Sequence, residues 1–124
     1  MFFFNNSSAA RNIDSSRNGS TVAVRERRPT EVSGELESYS IIDVREPWEY
    51  EQGRLPGSKL IPLASLPAAI DGLDRDASYL MTCQSGSRSG IAARMLAARG
   101  FTDVSNLSGG MMFWQRSRLP VERS

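Results

Sequence analysis

Short apolar runs of strand length alternate along this chain with stretches whose apolar residues recur at helical spacing. Tyr39-Ser40-Ile41-Ile42-Asp43-Val44 and Tyr79-Leu80-Met81-Thr82 are compact runs that predict strands covered on both faces. Thr21-Val22-Ala23-Val24, Lys59-Leu60-Ile61-Pro62 and Val104-Ser105-Asn106-Leu107 predict three shorter strands, the first of them at a sheet edge. Between them, Pro29-Thr30-Glu31-Val32 reads as a helix start, with Thr30 as cap and a short helix running toward Leu36. Glu46 to Gln52 predicts one or two helical turns stopped by Gly53, and Leu55-Pro56-Gly57-Ser58 is a turn. Leu66, Ala69, Ile70 and Leu73 place a helix over 64–73 that frays at Asp71-Gly72. The Ala-rich stretch from Arg88 to Arg99 predicts the longest helix, with Ile91, Met95 and Ala98 on one face and Gly100 as its stop. Gly109-Gly110 then breaks the chain before a short helix over Met111 to Gln115. This alternation predicts an α/β domain with a mainly parallel sheet, in which ligands bind outside the carboxyl ends of the strands. Cys83 stands at one such end.

Composition narrows the picture. A chain of 124 residues has the size of one domain, and 40% hydrophobic with 23% charged residues is an ordinary soluble balance. The net charge of +1 gives no general pull toward nucleic acid or anionic membrane. No apolar run approaches the roughly 20 residues of a membrane helix, and Met1-Phe2-Phe3-Phe4 is too short for a secretory signal. Residues 1–20, rich in Ser, Asn and Arg, predict a flexible polar leader without the amphipathic face of a transit peptide, and 21–122 the folded domain. One cysteine cannot form an internal disulfide, so a reducing compartment, the cytoplasm, is expected. The absence of histidine excludes Ser-His-Asp and Cys-His catalysis and the common zinc sites.

In Thr82-Cys83-Gln84-Ser85-Gly86-Ser87-Arg88-Ser89-Gly90, a strand ends in small, flexible residues that lead straight into a helix. Gly86 permits a conformation in which successive N–H groups converge on an anion, and the helix start adds its positive end. The same field lowers the pKa of a thiol placed there, and Arg88 offers a fixed cation with fork-shaped donors. A lone cysteine is more often a small buried hydrophobe than a nucleophile. Its position before a polar, Gly-containing loop with Arg88 five residues on reverses that preference.

Cys83-Gln84-Ser85-Gly86-Ser87-Arg88-Ser89 resembles the active-site loop of the rhodanese family, Cys-x-x-Gly-x-Arg-Ser. Asp43-Val44-Arg45-Glu46, Glu49-Tyr50-x-x-Gly53 and Leu55-Pro56-Gly57-Ser58 are similar to the family's upstream segment and turn. Gly109-Gly110, Trp114 and Leu119-Pro120-Val121 are similar to its closing segment. The resemblance implies a three-layer domain with a central, mainly parallel five-stranded sheet flanked by helices. It also implies a sulfurtransferase in which Cys83 carries sulfur as a persulfide, from a small anionic donor such as thiosulfate or a protein donor to cyanide, a thiol or a protein acceptor. Neither metal nor organic cofactor is called for.

By the same resemblance Arg88 acts with Cys83, residues Gln84, Ser85, Gly86, Ser87, Ser89 and Arg45 bind the donor, and Asp43 supports the loop. A surface ion pair is the plainer reading of Asp43 and Arg45. Arg54 stands where the family usually has His, which changes turn contacts and not the nucleophile. Met111, Met112, Phe113 and Trp114 read as packing near the site entrance, and Trp48 and Tyr50 as core or rim aromatics. Two alternatives stay open. One is a non-catalytic rhodanese-like binding or regulatory module. The other is a Cys-dependent phosphatase, although those enzymes place five residues between Cys and Arg where this chain has four.

Overall fold

The computed structural model describes residues 23–123. The predicted leader and the first half of the strand placed at Thr21–Val24 lie outside the described residues. Five strands form one sheet: β1 (Arg25–Arg27), β2 (Ser40–Asp43), β3 (Lys59–Leu60), β4 (Ser78–Thr82) and β5 (Asp103–Leu107). Their order is β1-β5-β4-β2-β3 and every pairing within it is parallel. "Mainly parallel" is therefore sharpened to wholly parallel among these strands. The helices are α1 (Pro29–Val32), α2 (Pro47–Gln52), α3 (Leu66–Ala69), α4 (Ser87–Ala98) and α5 (Gly110–Arg116).

Because side chains alternate across a strand, the two central strands feed two separate cores. Ile42, Tyr79, Met81 and Val104 pack with Leu66, Ile70, Ala92, Ala93, Leu96 and Phe101, so α3 and α4 cover one face. Ile41, Leu80 and Leu107 pack with Val32, Leu55, Met111 and Trp114, so α1 and α5 cover the other. This explains the unbroken apolar runs: a strand buried on both sides has no face to leave polar. Burying each such large side chain stabilises the fold by about 1.5–3 kcal/mol. Tyr79 adds an edge-to-face contact with Phe101 at 5.5 Å and satisfies its hydroxyl on the Asp74 carbonyl at 2.9 Å.

Several expectations shift. The edge strand begins at Arg25, beyond the apolar run, because its backbone pairs with β5 in the register Arg25 to Ser105 and Arg27 to Leu107. Val24 serves instead as partly buried packing against the α4 side of the sheet. Thr30 is not the cap of α1. The cap is Arg28, whose N–H donates to Glu31 Oε1 at 2.8 Å, because Pro29 occupies the first turn where its missing N–H costs nothing. The helix expected over 64–73 breaks into 3-10 turns at Leu63–Ser65 and Ile70–Gly72 around the single turn of α3, with Pro67 in its first turn. No helix among the described residues is long and apolar enough to cross a membrane.

The buried face of α4 differs most from expectation. Ile91 is 45% exposed and Ala98 is exposed, while Ser89, Gly90, Ala92, Ala93, Leu96 and Ala97 face the sheet. Small residues there let the helix lie close to β4 and β5. Leu96→Ala is therefore expected to cost about 3 kcal/mol, and Ile91→Ala to stay within about 0.5 kcal/mol, in denaturant unfolding followed by circular dichroism. Equal losses at the two positions would contradict this assignment.

Candidate active site

β4 runs into the interior and ends at Thr82, so Cys83 leaves the sheet at its carboxyl edge with no exposed surface. The chain then turns through Gln84, Ser85 and Gly86 into α4. Gly86 has φ of +101°, which a side chain would strain, and a Cβ there would lie 3.2 Å from the Gly109 nitrogen. This turn brings the Gly86 N–H to 3.1 Å from Cys83 Sγ. From the first turn of α4, the buried Ser89 hydroxyl donates to the same sulfur at 3.3 Å.

The opposite layer holds the loop in this shape. Met111 N–H donates to the Cys83 carbonyl at 2.9 Å and Met112 N–H to the Gln84 carbonyl at 3.0 Å. Gly110 makes that approach possible: a Cβ on it would collide with the Cys83 carbonyl oxygen and lie 2.8 Å from the Gln84 carbonyl carbon. With these carbonyls committed to α5, the loop amides remain for the sulfur. On the other flank, buried Asn106 of β5 donates to the Gly86 carbonyl at 3.1 Å and to the Glu26 carboxylate.

Burial alone would push the Cys83 thiol up, but hydrogen bonds from the Ser89 hydroxyl and from the N–H groups of Ser89, Gly86 and Ser85 outweigh it, so the pKa is lowered. Thiolate is thus favoured in a chain without histidine. Below its depressed pKa the folded protein takes up a proton and loses that stabilisation; above the ordinary thiol value of about 8.5 the stabilisation is fully present.

The two arginines sit differently from expectation. Arg88 does not point an open fork into the loop: its two terminal nitrogens donate to Glu49 Oε1 and Oε2, each at 2.9 Å. Glu49, through that pair, has its pKa lowered despite partial burial, and Arg88 has its own raised. Arg45 is only 3% exposed, so a surface ion pair does not describe it. It grips Asp43 through Nε at 3.0 Å and Nη2 at 2.8 Å, and Nη2 also donates to the Gly53 carbonyl at 2.7 Å. Nη1 reaches Gln84 Oε1 at 3.3 Å. Asp43 is thereby linked through Arg45 to Gln84 of the loop, and removing either partner would strand a buried charge at a cost of about 3–5 kcal/mol.

Gln84, Ser85 and Ser87 are exposed at the loop surface, the two serine hydroxyls 3.5 Å apart. Met111 and Trp114 are fully buried, as packing residues should be, whereas Met112 and Phe113 are 40% and 42% exposed beside the loop. Trp48 is 62% exposed and belongs to no core. Arg54 lies over the Tyr50 ring, 4.7 Å from its centre. Glu49 enters the sequence reading only within Glu49-Tyr50-x-x-Gly53 and Asn106 only as a strand residue, with no site role predicted for either, yet they hold Arg88 and the Gly86 carbonyl. Glu49 is 39 positions from Arg88, so nothing local announces that pairing.

A profile of the Rhodanese-like domain matches residues 28–117. A sulfurtransferase of Allochromatium vinosum is 32% identical over 87 residues, which span 70% of this chain and 81% of that protein. The thiosulfate sulfurtransferase GlpE of Pseudomonas fluorescens is 38% identical over 82 residues, covering 66% of this chain and 74% of the relative. Among solved structures, a rhodanese-related protein from Thermoplasma volcanium superposes with a TM-score of 0.75 at 30% identity, covering 81% of this chain and 99% of that one.

The hydrogen bonds at the sulfur make a direct prediction. Ser89→Ala removes a donor to the thiolate, so the midpoint of Cys83 ionisation, followed by thiolate ultraviolet absorbance against pH, moves upward. An unchanged midpoint would show that Ser89 does not hold the charge.

Proposed function

The chain belongs to the rhodanese family, and on that footing we propose that it is a sulfurtransferase that carries sulfane sulfur on Cys83 as a persulfide. The observation that supports this best is the Cys83 sulfur itself, buried at the end of β4 and hydrogen-bonded by the Gly86 N–H and the Ser89 hydroxyl.

In the first step the Cys83 thiolate attacks the outer sulfur of a donor, thiosulfate or a persulfide. Its electron pair forms the new S–S bond, and the old S–S pair leaves with the donor's remainder, sulfite or a thiolate. In the second, an acceptor such as cyanide, a thiol or a protein thiolate attacks the outer sulfur of the Cys83 persulfide, and Cys83 departs as thiolate. Splitting the transfer gives two displacements at sulfur in place of one encounter of donor and acceptor. The same hydrogen bonds serve both: they keep thiolate available for attack and make Cys83 a better leaving group. Arg45 and Asp43 act here as loop supports and not as donor ligands, while Gln84, Ser85 and Ser87 form the surface that a donor first meets. A protein donor or acceptor uses the same chemistry, and a reducing compartment such as the cytoplasm suits a lone reactive thiol.

A donor should add one sulfur to the protein by mass spectrometry, and cyanide should then release thiocyanate. Cys83→Ala is expected to reduce both signals to background. Persistence of either in that variant would overturn the persulfide mechanism, and Cys83-dependent hydrolysis of an aryl phosphate without sulfur loading would favour a phosphatase.

A further inference from the structure

Gly86 is held at both ends. Its N–H lies 3.1 Å from Cys83 Sγ, and its carbonyl accepts two hydrogen bonds, from the Gly90 N–H at 3.0 Å and from Asn106 Nδ2 at 3.1 Å. The first is the opening hydrogen bond of α4. The second comes from outside the helix, from a side chain of β5 on the same face of the sheet as Val104, the face that α4 covers. A glycine at φ of +101° has wide conformational freedom, so fixing its carbonyl restricts where its N–H points.

Asn106 is 4% exposed, and both hydrogens of its Nδ2 are engaged. One meets the Gly86 carbonyl and the other the Glu26 carboxylate, whose oxygens lie 3.2 and 3.1 Å away. Its Oδ1 is buried without a hydrogen-bond partner, an arrangement that packing alone does not account for. Turned over, the amide would present that oxygen to a carbonyl and a carboxylate, two acceptors with nothing to donate. Glu26 therefore sets which way round the amide sits. It lies directly across from Asn106 on the edge strand β1, and its Oε1 also accepts the Ser108 hydroxyl at 2.9 Å, just before Gly109 and Gly110.

These contacts make one line from the exposed edge of the sheet to the sulfur: Glu26, Asn106, Gly86, Cys83. We infer that Asn106 is a positioning residue for Cys83, turned by Glu26 so that it holds the Gly86 N–H on the sulfur. Asn106 acts through Gly86 and has no hydrogen bond of its own to the sulfur. The inference deepens the sulfur-transfer reading and rests on it for its consequence in turnover. A weaker N–H contact leaves less thiolate to attack a donor and makes Cys83 a poorer leaving group when the persulfide is unloaded.

The test is the midpoint of Cys83 ionisation, followed by thiolate ultraviolet absorbance against pH, which needs no donor. Asn106→Leu removes the contact and should raise the midpoint by about one unit, an about tenfold loss of thiolate at pH values below it. Glu26→Leu should raise it by about half a unit. The direction is decisive, because removing a nearby negative charge acts by itself to lower a thiol's pKa. Glu26→Gln keeps an acceptor oxygen for Asn106 and should show no rise. Asn106→Leu combined with Glu26→Leu should match Asn106→Leu alone, since the two residues act in series. The other charged groups about the loop, Arg45 with Asp43, Arg88 with Glu49, and the exposed Arg94 and Arg116, are the same in every variant. Glu26 is exposed on an edge strand, so its variants test the inference even if Asn106→Leu does not fold. A midpoint unmoved or lowered in folded Asn106→Leu or Glu26→Leu would overturn the positioning role, whatever the protein loads. Midpoints that rise as expected, with no sulfur gained by the wild-type protein from thiosulfate or benzyl hydropersulfide, would overturn sulfur transfer and leave the positioning role standing.

Discussion

Two backbone hydrogen bonds, from Met111 to the Cys83 carbonyl at 2.9 Å and from Met112 to the Gln84 carbonyl at 3.0 Å, join the loop to the helix layer on the far side of the sheet. A peptide unit presents its carbonyl and its N–H in opposite directions, so anchoring the Gln84 carbonyl on α5 turns the Ser85 N–H of the same peptide toward the sulfur, and the Gly86 N–H follows at the next turn of the chain. Gly110 is required for this contact, since a side chain would occupy the space of the Cys83 carbonyl. Gly86 is required for the turn that follows. The fold as a whole serves to place these glycines: β4 delivers Cys83, β5 delivers Gly109 and Gly110, and the parallel pairing of the two strands aligns their ends.

The electrostatics are correspondingly local. Backbone dipoles and one hydroxyl depress the thiol's pKa against the opposing effect of burial. The arginines contribute position more than charge. Arg45 joins the end of β2, the end of α2 and Gln84 into one unit. Arg88 joins the start of α4 to α2 through Glu49. Two connections separated by 39 positions in the chain, Arg45 to Gln84 and Glu49 to Arg88, therefore lock the same pair of segments together.

The central strands, the loop and the order of elements were legible because each has a local signature. Ile41-Ile42 and Leu80-Met81 announce burial on both faces, and Cys83 to Ser89 announce a glycine-containing turn before a helix. Where the sequence reading failed, the deciding partner was distant. The buried face of α4 depends on where β4 and β5 lie, and its small residues Gly90, Ala92, Ala93 and Ala97 give a weak apolar signal although they make the closest approach. Arg25–Arg27 is polar and pairs through backbone alone. Glu49 and Asn106 act through residues far along the chain, as do the commitments that take Arg45 away from the surface.

The chain's one cysteine lies at the base of this loop. Thiol enzymes that oxidise or carry sulfur often hold a second, resolving thiol that discharges the first as an internal disulfide. This chain has none to offer. In the proposed mechanism a sulfur loaded on Cys83 would therefore wait in its cradle until a molecule from outside collected it, and the lifetime of the loaded form would be governed by the acceptor's concentration and access. The hydrogen bonds around the sulfur would then act as storage as well as activation, with unloading timed by the surroundings.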